Sequence, residues 1–466
     1  MDTGNAAWML IAASLVFLMT PAVAFFYGGM VRRKAVLNML MLSAGALAVS
    51  TIIWALWGWS IAWGGKDIGG IFGEPSTGFL LGDTMKAGKD GVFTTTGLTP
   101  NGNNYPVSID VAFQLAFAMI AVALISGALA ERIKYSTWMI FVAIWVTLDY
   151  APMAHMVWNG GLLSPDGLIS RLIGAPVHDF AGGTVVHINA AVAALVIVLL
   201  IGKRKDFGKV PIRPHNVPFV MLGAFLLWFG WFGFNSGSAF AANGVAGYAW
   251  VSTSLAAAAA MLSWGFTEKI RTGHYTAVGA ASGMVAGLVG ITPAADVVSP
   301  LWAMAIGAIV GVLTCLACGL KFRFGYDDSL DVVGVHGVGG LAGTILIGFF
   351  AQGAGLFAGG SWRQLAVQVV VALAAVVYSA VVTFVIAFAL EKTVGWRVDG
   401  DQELAGVDLA DQGESAYDLA STSKGGTLMD LAVRYPSYSK VHGNSENVRS
   451  VVAKPTAVAI AKETEQ

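Results

Sequence analysis

The chain has 466 residues, 56% of them hydrophobic and 12% charged, with a formal net charge of −1. Soluble globular domains carry roughly 25% charged residues, so most of this chain is suited to lipid, not to a water-facing surface. The balanced charge leaves no basic footprint for nucleic acid, and two cysteines, Cys315 and Cys318, cannot build a disulfide framework.

Apolar runs long enough to cross a bilayer, about 20 residues each, recur up to residue 391. Eleven are predicted, near 7–31, 36–63, 108–130, 137–158, 178–202, 216–241, 247–268, 275–292, 300–320, 332–355 and 362–391. No Lys or Arg precedes Arg32, so the positive segment of a signal peptide is missing and the first run is read as a retained span. The loops after spans 1, 3, 5, 7 and 9 hold 14 Lys and Arg. The N-terminus and the remaining loops hold 5, counting Arg363 at the edge of span 11. The positive-inside rule then predicts an outside N-terminus and a cytoplasmic C-terminus, which an odd number of spans requires. The connection 64–107 is the one sizeable outer loop. Residues 392–466 carry 8 Lys and Arg and 11 Asp and Glu. They read as a cytoplasmic tail over 392–420 followed by an extension, 421–466, with the composition of a disordered segment.

A polar signature occurs twice inside these spans. Asp179 precedes His187 by eight residues in span 5, and Asp328 precedes His336 by the same eight in span 10. The two spans lie five apart, and an odd repeat must re-enter the membrane inverted. Inverted repeats place a substrate path near the midplane. The expected fold is therefore an all-α polytopic membrane protein of eleven transmembrane helices: two inverted five-helix repeats plus a final helix.

An isolated buried histidine is often satisfied by a backbone carbonyl. Two at matching places in a repeat point to one shared axis, and intramembrane ionisable groups usually mark a pathway. A neutral imidazole pair can pass a proton through its ring nitrogens. As metal ligands the two lack a carboxylate or thiolate partner at helical spacing, so no metal and no cofactor are expected. Asp179 and Asp331 stand near span starts, where a carboxylate caps orphan N–H groups. Capping is the reading for Asp331. For Asp179 both a cap and a cation stabiliser remain open. Phe113, Gln114 and Phe117 lie on span 3, with the two phenylalanines on one face, and Trp231, Phe234 and Ser238 lie on span 6. Trp158 ends span 4, where an interfacial belt is the ordinary meaning of tryptophan. The glycine series 279–283–287 and 307–311 are close-packing patterns, and Cys315 and Cys318 read as small packing residues. An intramembrane enzyme would need a nucleophile or metal constellation that the sequence lacks.

Several strings resemble the bacterial ammonium transporters of the Amt/Mep/Rh group, from about residue 8 to about 420. They are FFYGGMVRRKAVLNML at 25–40, GALAERIKYSTW at 127–138, MVWNGGLL at 156–163, DFAGGTVVHINAAVAAL at 179–195, WFGFNSGSA at 231–239 and DVVGVHGVGGLAGT at 331–344. The resemblance implies a multi-pass inner-membrane protein that moves ammonium or ammonia, assembled as a homotrimer with one pore per subunit. It implies an outer cation-recruitment site at Phe117, Trp158 and Ser238, with Asp179 close behind. Phe117 and Phe234 would form a stacked gate, His187 and His336 the pore pair, and Tyr27 and Trp231 further lining. The tail segment 395–418 resembles a regulatory tail that, with the inner loops, receives a PII-type signalling protein in relatives. An ammonium sensor with little flux is the alternative. Asp149 and His155 depart from the pattern by adding polar groups to span 4.

Overall fold

The computed structural model describes residues 1–87, 93–95, 97–99, 103–210 and 212–417. The extension 421–466 lies outside the described residues. Ten described helices are long and apolar enough to cross a membrane: Thr3–Met30, Arg33–Trp63, Val107–Leu129, Tyr135–Trp158, Gly183–Ile201, Val217–Ser236, Gly244–Thr272, Pro300–Phe324, Val333–Phe350 and Trp362–Thr393. The shorter apolar helix Ala277–Ile291 takes the eighth place. In chain order these are spans 1 to 11, and the protein is a multi-pass helical membrane protein. The end carrying the connection between spans 2 and 3 is termed outer, and the arginine-rich end inner, after the charge asymmetry.

Local chemistry starts many of these helices. Asp2 caps span 1 and Asn243 caps span 7. Thr276 caps span 8, and Ser299 caps span 9 ahead of Pro300. Each side-chain oxygen takes one orphan N–H, and Pro300 has none to leave unsatisfied. Close packing then depends on absent side chains. A Cβ on Gly287 would stand 2.5 Å from the Ala256 carbonyl oxygen, and one on Gly283 would stand 2.8 Å from Trp264 Cβ. That is the role read for this glycine series.

Two departures from the expected elements matter. The outer connection is not featureless: Asp67–Ile68 pairs with Phe72–Gly73, and Met85–Ala87 with Phe93–Thr95, both antiparallel. His155, buried in span 4, ties the first hairpin down, with Nε2 2.9 Å from Asp67 Oδ1. Second, spans 2, 4, 5, 6 and 10 each contain a π-turn, at Trp54–Gly58, Val146–Tyr150, Gly183–Ile188, Phe232–Ser236 and Val333–Gly337. Spans 5 and 10 both open on theirs.

At the inner end four loops converge on charge. Arg132, fully buried, and Arg204 share Asp327 at 3.3 and 2.7 Å. Arg32 pairs with Glu131 and with Asp206. The tail docks beside this cluster. Its backbone bonds to the loop after span 3, Lys134 N–H donating to the Trp396 carbonyl at 2.8 Å and Val398 N–H to that of Arg132 at 3.1 Å. Asp408 then accepts from the Leu37 and Asn38 N–H groups at 3.0 and 2.8 Å, at the start of span 2. Asp411 accepts from Tyr135 N–H at 2.8 Å, at the start of span 4. Burial pushes the Asp408 carboxyl up, against the pull of those N–H donors.

Burial pushes Asp327 up as well, but the Arg204 hydrogen bond and both guanidinium charges outweigh it and hold this carboxyl below its usual range. Burial also pulls the Arg132 guanidinium down to about 10. Asp327→Ala leaves the buried Arg132 without its carboxylate and Arg204 with Glu131 at 3.5 Å. A loss of about 3–5 kcal/mol is expected, as for other broken buried pairs, read as a lower thermal midpoint in detergent. Because the folded pKa is lowered, the stabilisation is complete above the unfolded value of about 3.9 and is lost as pH falls through the lower folded one. The gap between wild type and variant should therefore hold from neutral pH down to about pH 5 and narrow only below about pH 4.

Candidate functional site

A cavity of about 500 Å³ opens at the outer end, and Phe117, Trp158 and Ser238 line it together. Each is placed by its own element. Phe117 sits one turn below Phe113 on span 3, ring centroids 4.9 Å apart. Trp158 is the last residue of span 4, and its indole N–H donates to the Asp179 carbonyl at 2.8 Å. Ser238 follows the end of span 6, and its hydroxyl donates to the Phe234 carbonyl at 2.8 Å. A hydroxyl with its proton so engaged offers its lone pairs to a cation.

Asp179 does not line the cavity. It lies behind Trp158, and its two carboxylate oxygens accept from the N–H groups of Gly182, Gly183, Thr184 and Val185 at 2.7–3.2 Å. The sequence DFAGG allows this cap. Gly182 takes φ +113°, a left-handed conformation that favours glycine. A Cβ on Gly183 would stand 2.6 Å from Pro293.

Beneath the cavity the aromatic rings close the path. Phe117 and Phe234 stack at 4.1 Å with planes 18° apart, and Trp158 meets Phe117 edge-on at 5.9 Å. Below them His187 stacks on Trp231 at 5.5 Å and on His336 at 5.3 Å. The facing Nδ1 atoms of the two histidines are 3.3 Å apart. One of them must donate and the other accept, so a neutral pair holds a single N–H between them. His187 Nε2 is buried and has no hydrogen-bond partner among the described residues. Tyr27, Trp231, Phe234 and both histidines line the remaining space, about 10 Å³. That is the lower limit for a single water. Trp231 is fixed by its indole N–H to Thr292 Oγ1 at 2.8 Å. Tyr27 donates to the Leu124 carbonyl at 3.2 Å. A second open cavity, about 380 Å³, lies at the inner end beside Ser329 and Asp331.

One expected cap is corrected. Asp331 does not cap span 10; Asp328 does, accepting from Val332 and Val333 N–H at 3.1 and 2.8 Å. Asp331 itself sits at φ +64° and turns to Lys321, 2.7 Å away. The capping residue is thus the Asp eight residues before each histidine in both repeats. Among the further polar lining residues that the sequence reading gave no role are Asp110 and Gln114 on span 3. The signal was available, since residues 110, 114 and 117 share one helix face at i, i+4 and i+7.

The arrangement supplies aromatic faces and a hydroxyl acceptor outside, then a narrow, ring-walled constriction whose polar atoms are chiefly imidazole nitrogens. A desolvated cation over an aromatic face gains about 2 kcal/mol or more, which offsets part of its lost hydration.

Residues 7–417 match the model of the Ammonium Transporter Family. An ammonium transporter of Mycobacterium tuberculosis (strain ATCC 25618 / H37Rv) is 50% identical over 440 residues, covering 91% of this chain and 92% of its own. Ammonium transporter Amt1 of Archaeoglobus fulgidus is 40% identical, covering 90% and 100%. Among solved structures, Candida albicans Mep2 superposes with a TM-score of 0.77 at 32% identity, covering 86% of this chain and 88% of its own. A protein described as a Sensor Amt Protein does so with 0.78 at 30%, covering 88% and 98%.

Asp179→Ala leaves four N–H groups without their acceptor at the head of span 5. Each such buried donor costs about 1–3 kcal/mol, so a combined loss above about 3 kcal/mol is expected. Intrinsic tryptophan fluorescence during thermal unfolding in detergent reads it, with Asp179→Asn falling between wild type and alanine.

Proposed function

The chain belongs to the ammonium transporter family, and from that membership we propose how it moves its substrate: ammonium is caught outside, sheds its proton and crosses the constriction as neutral ammonia. The observation that carries this reading is the 10 Å³ constriction beneath the stacked Phe117 and Phe234 rings, walled by His187, His336 and Trp231. Moving a full charge to the bilayer centre costs roughly 2.5–3.5 kcal/mol on insertion scales, and more in simulations. Among the described residues no counter-charge lines this space.

The steps follow from the order of groups. The cation rests against Trp158 and Phe117 with Ser238 Oγ as acceptor. At the aromatic gate it gives up its proton, either back to the outer solution through the open cavity or to the imidazole pair, and ammonia remains. Ammonia passes Phe117 and Phe234, then the imidazole pair, and regains a proton in the inner cavity. The pair, with facing Nδ1 atoms 3.3 Å apart, is the group in the constriction that can hand a proton on. Potassium cannot become neutral by losing a proton, so a dry constriction excludes it.

The same reading takes in the surroundings. The protein lies in the cell's inner membrane with the N-terminus outside and the C-terminus cytoplasmic, supported by the 14-to-5 partition of Lys and Arg. It acts as a homotrimer with one pore per subunit. The docked tail, with the inner loops, forms the cytoplasmic face that a PII-type protein would meet. Residues 1–391 are the transporter domain and 392–420 its regulatory tail. A second reading, an ammonium sensor with little flux, is favoured by one observation: the likeness to the Sensor Amt Protein over 88% of this chain.

Purified protein in proteoliposomes on a solid-supported membrane decides between them. Ammonium pulses should alkalinise the lumen and potassium pulses should give no current. A current with ammonium means the proton follows by the imidazole route, and His187→Ala should then reduce it by about tenfold or more. Equal currents for potassium and ammonium, or a full current in His187→Ala, contradict the mechanism. Absent alkalinisation and current together favour the sensor.

A further inference from the structure

The outer cavity reaches beyond the aromatic site, and its far wall has acceptor chemistry that the transport mechanism does not use. Asp110 stands in the first turn of span 3, half-buried, and accepts a hydrogen bond from the hydroxyl of Tyr105. One turn further in, Gln114 is 4% exposed, and its Oε1 has no hydrogen-bond partner among the described residues. An unpaired buried acceptor costs free energy comparable to a lost hydrogen bond, which favours a donor-bearing occupant. Beside them the Trp59 and Trp63 rings stack at 5.3 Å with planes 11° apart.

Charge points the same way. The described lining of this cavity includes the carboxylate of Asp110 and no Lys, Arg or His. Residues 110, 114 and 117 form a ladder along one helix face. At about 1.5 Å rise per residue, Asp110 lies about 10 Å and Gln114 about 4.5 Å outward of Phe117. A small cation with several N–H donors can therefore meet a carboxylate, then an amide oxygen, then an aromatic face in succession.

We propose that Asp110 and Gln114 form an outer station for ammonium or a primary alkylammonium ion, which loads the Trp158–Phe117–Ser238 site. The station raises occupancy at low outside concentration. It rests on the transport reading of the chain. The carboxylate attracts the cation, and the amide oxygen accepts one of its protons as it moves inward.

The test is the concentration dependence of ammonium flux in proteoliposomes of the full chain at neutral pH. Asp110→Asn should raise the half-saturating concentration about tenfold and change maximal flux less than about twofold. Gln114→Leu should raise it about threefold without lowering the thermal midpoint, since a buried unpaired acceptor is removed. Tyr105→Phe, which removes only the bond between Asp110 and the outer connection, should leave it close to wild type. An unchanged half-saturation in Asp110→Asn overturns the outer station alone. So does a Tyr105→Phe effect as large as that of Asp110→Asn, because Asp110 would then act only through the outer connection. Wild-type vesicles without ammonium flux would overturn the transport reading and this inference with it.

Discussion

In the bilayer interior an unsatisfied backbone N–H costs several kcal/mol, and spans 5 and 10 both begin on a π-turn surrounded by protein. Asp179 answers this in span 5 with four N–H acceptances, and Asp328 in span 10 with two. Those caps fix where each helix begins. The π-turns that follow, Gly183–Ile188 and Val333–Gly337, carry His187 and His336. π-turns are frequent where side chains must be aimed. The pairing of the two imidazoles thus depends on two carboxylates that touch neither of them.

From that constraint the rest of the path follows. With the cap engaged, Asp179 leaves no free charge beside the gate, yet its carbonyl holds the Trp158 indole and so places an aromatic face over Phe117. Span 6 supplies Phe234 and Trp231 from the turn Phe232–Ser236 and the residue before it. Rings from spans 1 and 6, with aliphatic side chains between them, then leave about 10 Å³ around the histidines. Narrowness at the pair is a packing result: the walls are large and held by single hydrogen bonds such as Trp231 to Thr292.

Much of this was legible in the sequence because membrane spans expose their polarity against an apolar background. The span positions followed from hydropathy, the shared histidine axis from the repeated eight-residue spacing, and the Phe113–Phe117 face from helical period. The pairing of Phe117 with Phe234 joins spans 3 and 6, and it came from family resemblance because spacing cannot relate separate helices. Other features were hidden. Asp328 rather than Asp331 caps span 10, because Asp331 adopts φ +64° and turns to Lys321; no residue pattern announces that conformation. The π-turns, the hairpins of the outer connection and the Arg132–Asp327–Arg204 group depend on contacts across long stretches of chain. So does the docking of Asp408 on the start of span 2, some 370 residues away in sequence.

The central claim is that the cation divides before the histidine pair, so a proton is transferred on the way through. The solvent isotope effect on ammonium flux tests it most directly, with wild-type proteoliposomes in light and heavy water at matched substrate and equivalent acidity. A proton-transfer step predicts slowing by about twofold or more in heavy water, beyond what solvent viscosity imposes on a leak through the same vesicles. Flux that changes only with viscosity would mean that no proton transfer limits the rate, and would contradict deprotonation at the aromatic gate as the step that sets it.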